Sequence, residues 1–166
     1  FILSGPKIRK FNNIYYLFYI AGKRWVLSDT KSPEPVYKIR AATSHDGINW
    51  TKMNKDLVSD QLGPDEAQAS PDVFFHNNLY HMFFCYRQPT DFRLNKKRSY
   101  RIGYASSKDL ASWVRDDSQA GIDVSDTGWD SEMVAYPHVL ELDGNLYMFY
   151  LGNQVGRHGF GLAILE

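Results

Sequence analysis

The chain has 166 residues, and its 19 basic side chains balance its 19 acidic ones, so it carries no electrostatic footprint for nucleic acid or an anionic membrane surface. No nucleic-acid partner and no membrane partner are expected, and no apolar run is long enough to span a bilayer. The single cysteine, Cys85, lies in the run Phe83-Phe84-Cys85-Tyr86; it has no partner for an internal disulfide and reads as a small buried apolar residue.

In chain order, the first predicted element is a strand around Ser4-Gly5-Pro6. The turn Asn12-Asn13 and an aromatic strand holding Tyr16-Leu17-Phe18-Tyr19 follow. A third strand carries Tyr37, Ile39, Ala42 and Ser44 into the turn Asp46-Gly47-Ile48-Asn49-Trp50. The same order then recurs. Ser70-Pro71 opens a strand, Asn77-Asn78 turns it, and His81-Met82-Phe83-Phe84 returns. Tyr100, Ile102, Ala105, Ser107, Asp109 and Trp113 repeat the third phrase at a shift of 63 residues. Tyr136-Pro137, Asp143-Gly144 and Tyr147-Met148-Phe149-Tyr150 begin a third copy, and Gly161-Leu162-Ala163 echoes Gly103-Tyr104-Ala105. Asn-Asn and Asp-Gly tolerate positive φ and so close tight hairpins. The strands are rich in Tyr, Phe, Ile and Val, and no sustained helical period is present.

A fixed long period marks a repeat architecture. The expected fold is all-β: a β-propeller with units over 1–64, 65–130 and an incomplete 131–166, about two and two-thirds blades of a five-bladed ring. Five such units come to roughly 325 residues, within the range of one closed β domain. The chain opens on Phe1-Ile2-Leu3, already inside a blade-starting phrase. The sequence is therefore expected to lack N-terminal blades or to self-associate.

The blade phrase, a proline followed by a turn and a Tyr-x-Phe-Tyr strand and then Ala-x-Ser-x-Asp-Gly-x-x-Trp, resembles the five-bladed propeller glycosidases. These are the arabinanase/xylosidase group, the invertase-like group and their relatives. The tail from Gly128-Trp129-Asp130-Ser131-Glu132-Met133 to Gly159-Phe160-Gly161-Leu162-Ala163 is similar to the C-terminal end of relatives associated with bacterial surface polysaccharides. The resemblance implies a carbohydrate ligand in a central funnel. It also implies acids just before each blade proline, as Asp-Pro or Glu-Gly-Pro. Here those positions read Ser4-Gly5-Pro6, Ser70-Pro71 and Tyr136-Pro137, and none is acidic.

Glu66 and Glu132 are the replacement pair. They lie 66 residues apart in the phrase E-x-x-A-x-P-x-V, each five residues before a blade proline. Two carboxyl groups converging on one axis would serve as general acid and base at a glycosidic bond; the alternative is that both brace the loop by accepting backbone N–H bonds. Asp72 and His138 each follow a blade proline by one residue, and strand alternation places them on one face with Ser70 and Tyr136, toward the channel. Arg87, Arg93 and Arg101 are candidates to hold an anionic group, with Arg87 and Arg101 assigned to the substrate site. Trp129 and Tyr136 flank Glu132 and offer faces for a sugar ring. No cofactor and no metal are expected: Asp123, Asp126 and Asp130 lack calcium-loop spacing. The two function classes left open are a glycoside hydrolase-like enzyme and a non-catalytic carbohydrate-binding or scaffold propeller.

Overall fold

The structure, a computed structural model, describes residues 2–165; Phe1 and Glu166, the outermost residues of the expected units, lie outside it. Among the described residues, eleven strands form three antiparallel sheets. The first holds β1 (Leu3–Phe11), β2 (Ile14–Leu27), β3 (Pro33–Ser44) and β4 (Thr51–Lys52), in that order. The second holds β5 (Ala67–His76), β6 (Leu79–Arg87), β7 (Arg101–Ser107) and β8 (Val114–Arg115). The third has three strands, β9 (Ala135–Leu142), β10 (Asn145–Leu151) and β11 (Phe160–Ile164). Each sheet pairs its strands in chain order, across the short turns and across the long loop between β6 and β7 alike. Among the described residues, no helix is long and apolar enough to cross a membrane.

The turns behave as their residues dictate. Phe11 faces Ile14, His76 faces Leu79 and Leu142 faces Asn145, so each first hairpin closes on two residues. Those residues sit at positive φ: 48° and 65° at Asn12 and Asn13, 47° and 61° at Asn77 and Asn78, 51° and 78° at Asp143 and Gly144. Such left-handed pairs match the strand twist in a hairpin.

The sheets pack face to face. Phe18, Ile20 and Ile39 of the first sheet join Val73, Met82 and Phe84 of the second in one core. Ile102 joins Met148 of the third sheet and Val134, just before β9, with Phe83, Tyr104 and Tyr150 at the border. A smaller cluster of Tyr19, Ala21 and Ala42 with Leu17 and Trp50 covers the other side of the first sheet. Trp113 packs against the main core and donates its indole N–H to the Leu110 carbonyl at 3.1 Å. The far face of the third sheet remains apolar and exposed at Leu140, Leu142, Phe160, Leu162 and Ile164.

One feature repeats in all three first strands. Pairing slips between Ser4 and Lys7, between Ala69 and Asp72, and where Ala135 and His138 face Leu151 and Phe149. In each strand the residue before the proline is left-handed, with φ of 59° at Gly5, 49° at Ser70 and 56° at Tyr136. A bulge with its extra residue in this conformation bends the strand and resets its alternation. Strict alternation from Ser70 to Asp72 and from Tyr136 to His138 therefore does not hold.

Candidate active site

The residues one place after the three prolines meet. Asp72 is fully buried and accepts the Val139 N–H at 2.6 Å and an Arg9 guanidinium N–H at 2.5 Å. Lys7 Nζ lies 3.6 Å and His138 Nδ1 3.1 Å from the same carboxylate, and Lys7 also donates to the Pro137 carbonyl at 2.8 Å. Asp72 thus ties β1, β5 and β9 together. Its carboxylate is consumed by that role, and His138 is the member that stays exposed. Nothing in the sequence marks Arg9, whereas Lys7 follows Pro6 as Asp72 follows Pro71.

Glu66 is buried without exposed surface. One carboxylate oxygen accepts the backbone N–H groups of Gln61 and Leu62, at 3.0 and 2.9 Å. The other accepts from Gln68 Nε2 at 3.0 Å and from Arg115 at 2.6 Å. Arg115 is itself buried, and its cation is shared with Asp117. Neither oxygen of Glu66 faces open space, so the structure does not place Glu66 beside Glu132 at a shared cleft. Arg87 likewise differs from expectation. It is 1% exposed, and its five N–H bonds go to the carbonyls of Pro35, Gln88 and Pro89 and the hydroxyls of Tyr37 and Tyr100. No donor remains for a ligand. Trp129 stacks on Tyr150 at 5.5 Å, and a Cβ added at Gly152 or Gly161 would lie 2.5 and 2.6 Å from its ring. It packs inside the third sheet rather than offering a free face.

Glu132 is different. It lines a cleft of about 890 Å³ between the loop that leaves β6 and the third sheet, together with Phe92, Arg93, Lys96, Ser99, Tyr100 and Tyr136. Glu132 is the only acid in that lining, and its carboxylate makes no hydrogen bond or ion pair among the described residues. Arg115, the partner of Glu66, belongs to the fourth strand of its sheet; the third sheet has no fourth strand among the described residues, and Glu132 has no counterpart of Arg115.

The backbone around Glu132 is rigidly held. Asn153, buried, accepts the N–H groups of Glu132 and Met133 through Oδ1 at 2.8 and 3.2 Å, and donates to the Gly128 carbonyl at 3.0 Å. The turn Asn153–Gly156 that presents it is left-handed, with φ of 54° at Gln154 and 57° at Val155. Positive φ is costly at a β-branched residue, and such strain concentrates at functional sites. Tyr136, Gln154 and Val155 all line this cleft, and Asp91, also left-handed at 61°, begins the loop segment that walls it. Arg101 joins three parts of the wall by donating to the carbonyls of Tyr100, Glu132 and Lys96, while its Nε lies 3.1 Å from Asp123. It braces the cleft without lining it.

Tyr100 and Tyr136 line the cleft beside Glu132, and Tyr37 is buried behind Tyr100. The Tyr37 and Tyr100 hydroxyls are 3.2 Å apart, and the rings of Tyr100 and Tyr136 are 5.9 Å apart. Burial raises the titration of all three phenols above the ordinary tyrosine value, so they stay neutral at neutral pH. Burial likewise pushes the nearby Cys85 thiol up to about 11, which makes it an inert packing group. Of the acidic tract, Asp123 pairs with Arg101 and Asp130 accepts the Tyr150 hydroxyl at 3.1 Å. Among the described residues, no group of three His, Cys, Asp or Glu side chains is placed to hold a metal ion.

Sequence reasoning missed Asn153 and the left-handed pair Gln154-Val155, and it reads Lys96 as part of a solvated loop tip with Lys97 and Arg98. Asn153 is a lone amide in a short linker, and nothing in its spacing signals the bonds it makes.

Comparison with known proteins agrees with this fold. No family model matches the chain. Two uncharacterised proteins from two strains of Mycobacterium tuberculosis are 34% identical over all 166 residues, which cover 52% of their length. The chain thus spans about half the length of the curated relatives it matches. A thermostable family-43 glycoside hydrolase superposes with a TM-score of 0.73 at 14% identity, over 99% of this chain and 55% of that one. A family 117 glycoside hydrolase of the marine bacterium Zobellia galactanivorans gives 0.72 at 17% identity, over 98% and 50%. A GH32 β-fructofuranosidase of Bombyx mori gives 0.66 at 16% identity, over 97% and 33%. The chain has the antiparallel all-β fold of propeller-type glycoside hydrolases.

Proposed function

We propose that the protein is a carbohydrate-active propeller that binds a glycan in the cleft beside Tyr136, with Glu132 as the proton-transfer group this chain supplies. In this reading the three sheets are three of five blades, and further sheets of a longer chain cover the exposed apolar face of the third. The observation that carries it is the solitary, unpaired Glu132 in an aromatic-floored cleft whose walls hold strained backbone. A carboxyl there can give a proton to a leaving glycosidic oxygen, and the Tyr100 and Tyr136 rings supply a surface for a sugar. Glu66 then has a structural part only, and Asp72 holds the innermost strands in place.

A second reading has a specific observation behind it. None of the pre-proline residues Gly5, Ser70 and Tyr136 is an acid, and Glu66 and Asp72 are spent on ion pairs, which favours glycan binding without cleavage.

The test uses the full-length protein and a panel of polysaccharides, with release of reducing ends and binding measured side by side. Glu132→Gln keeps the shape and removes the titrating group. Turnover is expected to fall on the order of a hundredfold or more with binding retained. Binding without turnover in both forms supports the second reading. Unchanged turnover in Glu132→Gln removes Glu132 from the chemistry.

A further inference from the structure

The cleft is electrically lopsided. Its wall from the loop after β6 carries Arg93 and Lys96, both exposed, and only Glu132 on the opposite wall is acidic. Arg93 is paired with Glu34, whereas the Lys96 ammonium has no hydrogen-bond or ion-pair partner among the described residues. Directly behind lies Arg87, whose buried cation is solvated by carbonyls and phenol hydroxyls and touches no carboxylate. The guanidinium carbons of Arg87 and Arg93 lie 3.6 and 4.2 Å from the centroid of Phe92, which itself lines the cleft. A buried charge is screened by salt far less than an exposed one, so Arg87 adds a standing positive potential to the wall that Lys96 completes.

Building on the carbohydrate reading above, we infer that the cleft selects a glycan bearing an anionic group, a carboxylate or a sulfate ester, directed at Lys96 and Arg93 and away from Glu132. An ammonium and a guanidinium on one wall suit such a group, by point charge and by fork geometry respectively. Arg87 does not touch the ligand in this arrangement; it sets the potential and, through Phe92 and the carbonyls of Gln88 and Pro89, fixes the loop that carries the two contacting residues.

The experiment is calorimetric titration of the full-length protein with three probes: an oligogalacturonide, its carboxyl-reduced neutral counterpart, and a sulfated oligogalactan. At least one charged probe is expected to bind tenfold or more tighter than the neutral one. That advantage should shrink in 0.5 M salt, and Lys96→Gln should narrow it at least threefold; the salt value is chosen to compress the screening length to about 4 Å. A carboxylate-only or sulfate-only advantage identifies the source of the charge. Equal affinity for charged and neutral probes overturns the inference and leaves the carbohydrate reading standing. Failure of all three to bind, with binding of an unrelated neutral glycan from the panel, overturns it as well. Failure of every glycan overturns both.

Discussion

Glu66 and Glu132 stand at the same place in one repeated phrase, yet they have opposite surroundings. Glu66 is enclosed by two backbone N–H groups, Gln68 and the buried Arg115, whereas Glu132 opens on a cleft. Removing one member of a buried ion pair leaves the other uncompensated and typically costs about 3–5 kcal/mol. Glu66→Gln is therefore expected to lower unfolding free energy by about 3 kcal/mol, read from the denaturant midpoint, whereas Glu132→Gln should stay within about 0.5 kcal/mol of the parent. A comparable loss in both variants would make Glu132 a brace like its counterpart. The sequence announced the equivalence of the two positions and concealed this difference, because the partner that decides it, Arg115, comes 49 residues after Glu66 on another strand. Arg87 was concealed for a related reason. An arginine that follows a strand looks available until the carbonyls of Pro35 and Pro89 are seen to reach it.

At the scale of elements, the legible parts are those with local chemistry. The Asn-Asn and Asp-Gly hairpins and the Ser-x-Asp turns are written in contiguous residues, and the structure shows each where its residues require it. Ser44 and Asp46 bond the backbone of the first such turn, and Ser107 and Asp109 bond that of the second. The N–H groups of Ser112 and Ala111 hold the Asp109 carboxyl down to about 2, from 3.8, and those of Asn49 and Ile48 hold Asp46 lower still. A folded value below the unfolded one stabilises the fold above the unfolded value and loses that contribution as pH falls through the folded value. Stability from these turns is thus expected to be complete above about pH 4 and to fade toward pH 2, and Asp109→Asn should flatten that part of a stability-against-pH curve. The pre-proline bulges were not legible, since proline disfavours helical backbone before it but gives no sign of a left-handed residue. The turn Asn153–Gly156 was equally hidden. Val155, 53% exposed and at φ 57°, loses little burial and much strain on replacement by glycine. Val155→Gly is expected to raise stability by about 1 kcal/mol, the relief of about 1–3 kcal/mol outweighing the entropy glycine adds, and a lowered melting temperature would refute it.

On the scale of the whole molecule, the repeat was readable because equivalent turn and proline phrases recur at a nearly constant shift, and three sheets paired in chain order follow from it. The site was only partly readable. Its floor and walls come from Tyr100, Tyr136, the loop after β6 and the turn after β10, which packing alone brings together. The glycan is predicted to enter this cleft rather than the Asp72 cluster or the apolar cleft between Phe74, Tyr104 and Met148. Hydrogen–deuterium exchange of the full-length Glu132→Gln protein with and without a bound oligosaccharide addresses it directly. Protection is predicted in segments 92–100, 132–136 and 153–156. Protection confined to other segments, with these three unchanged, would contradict it.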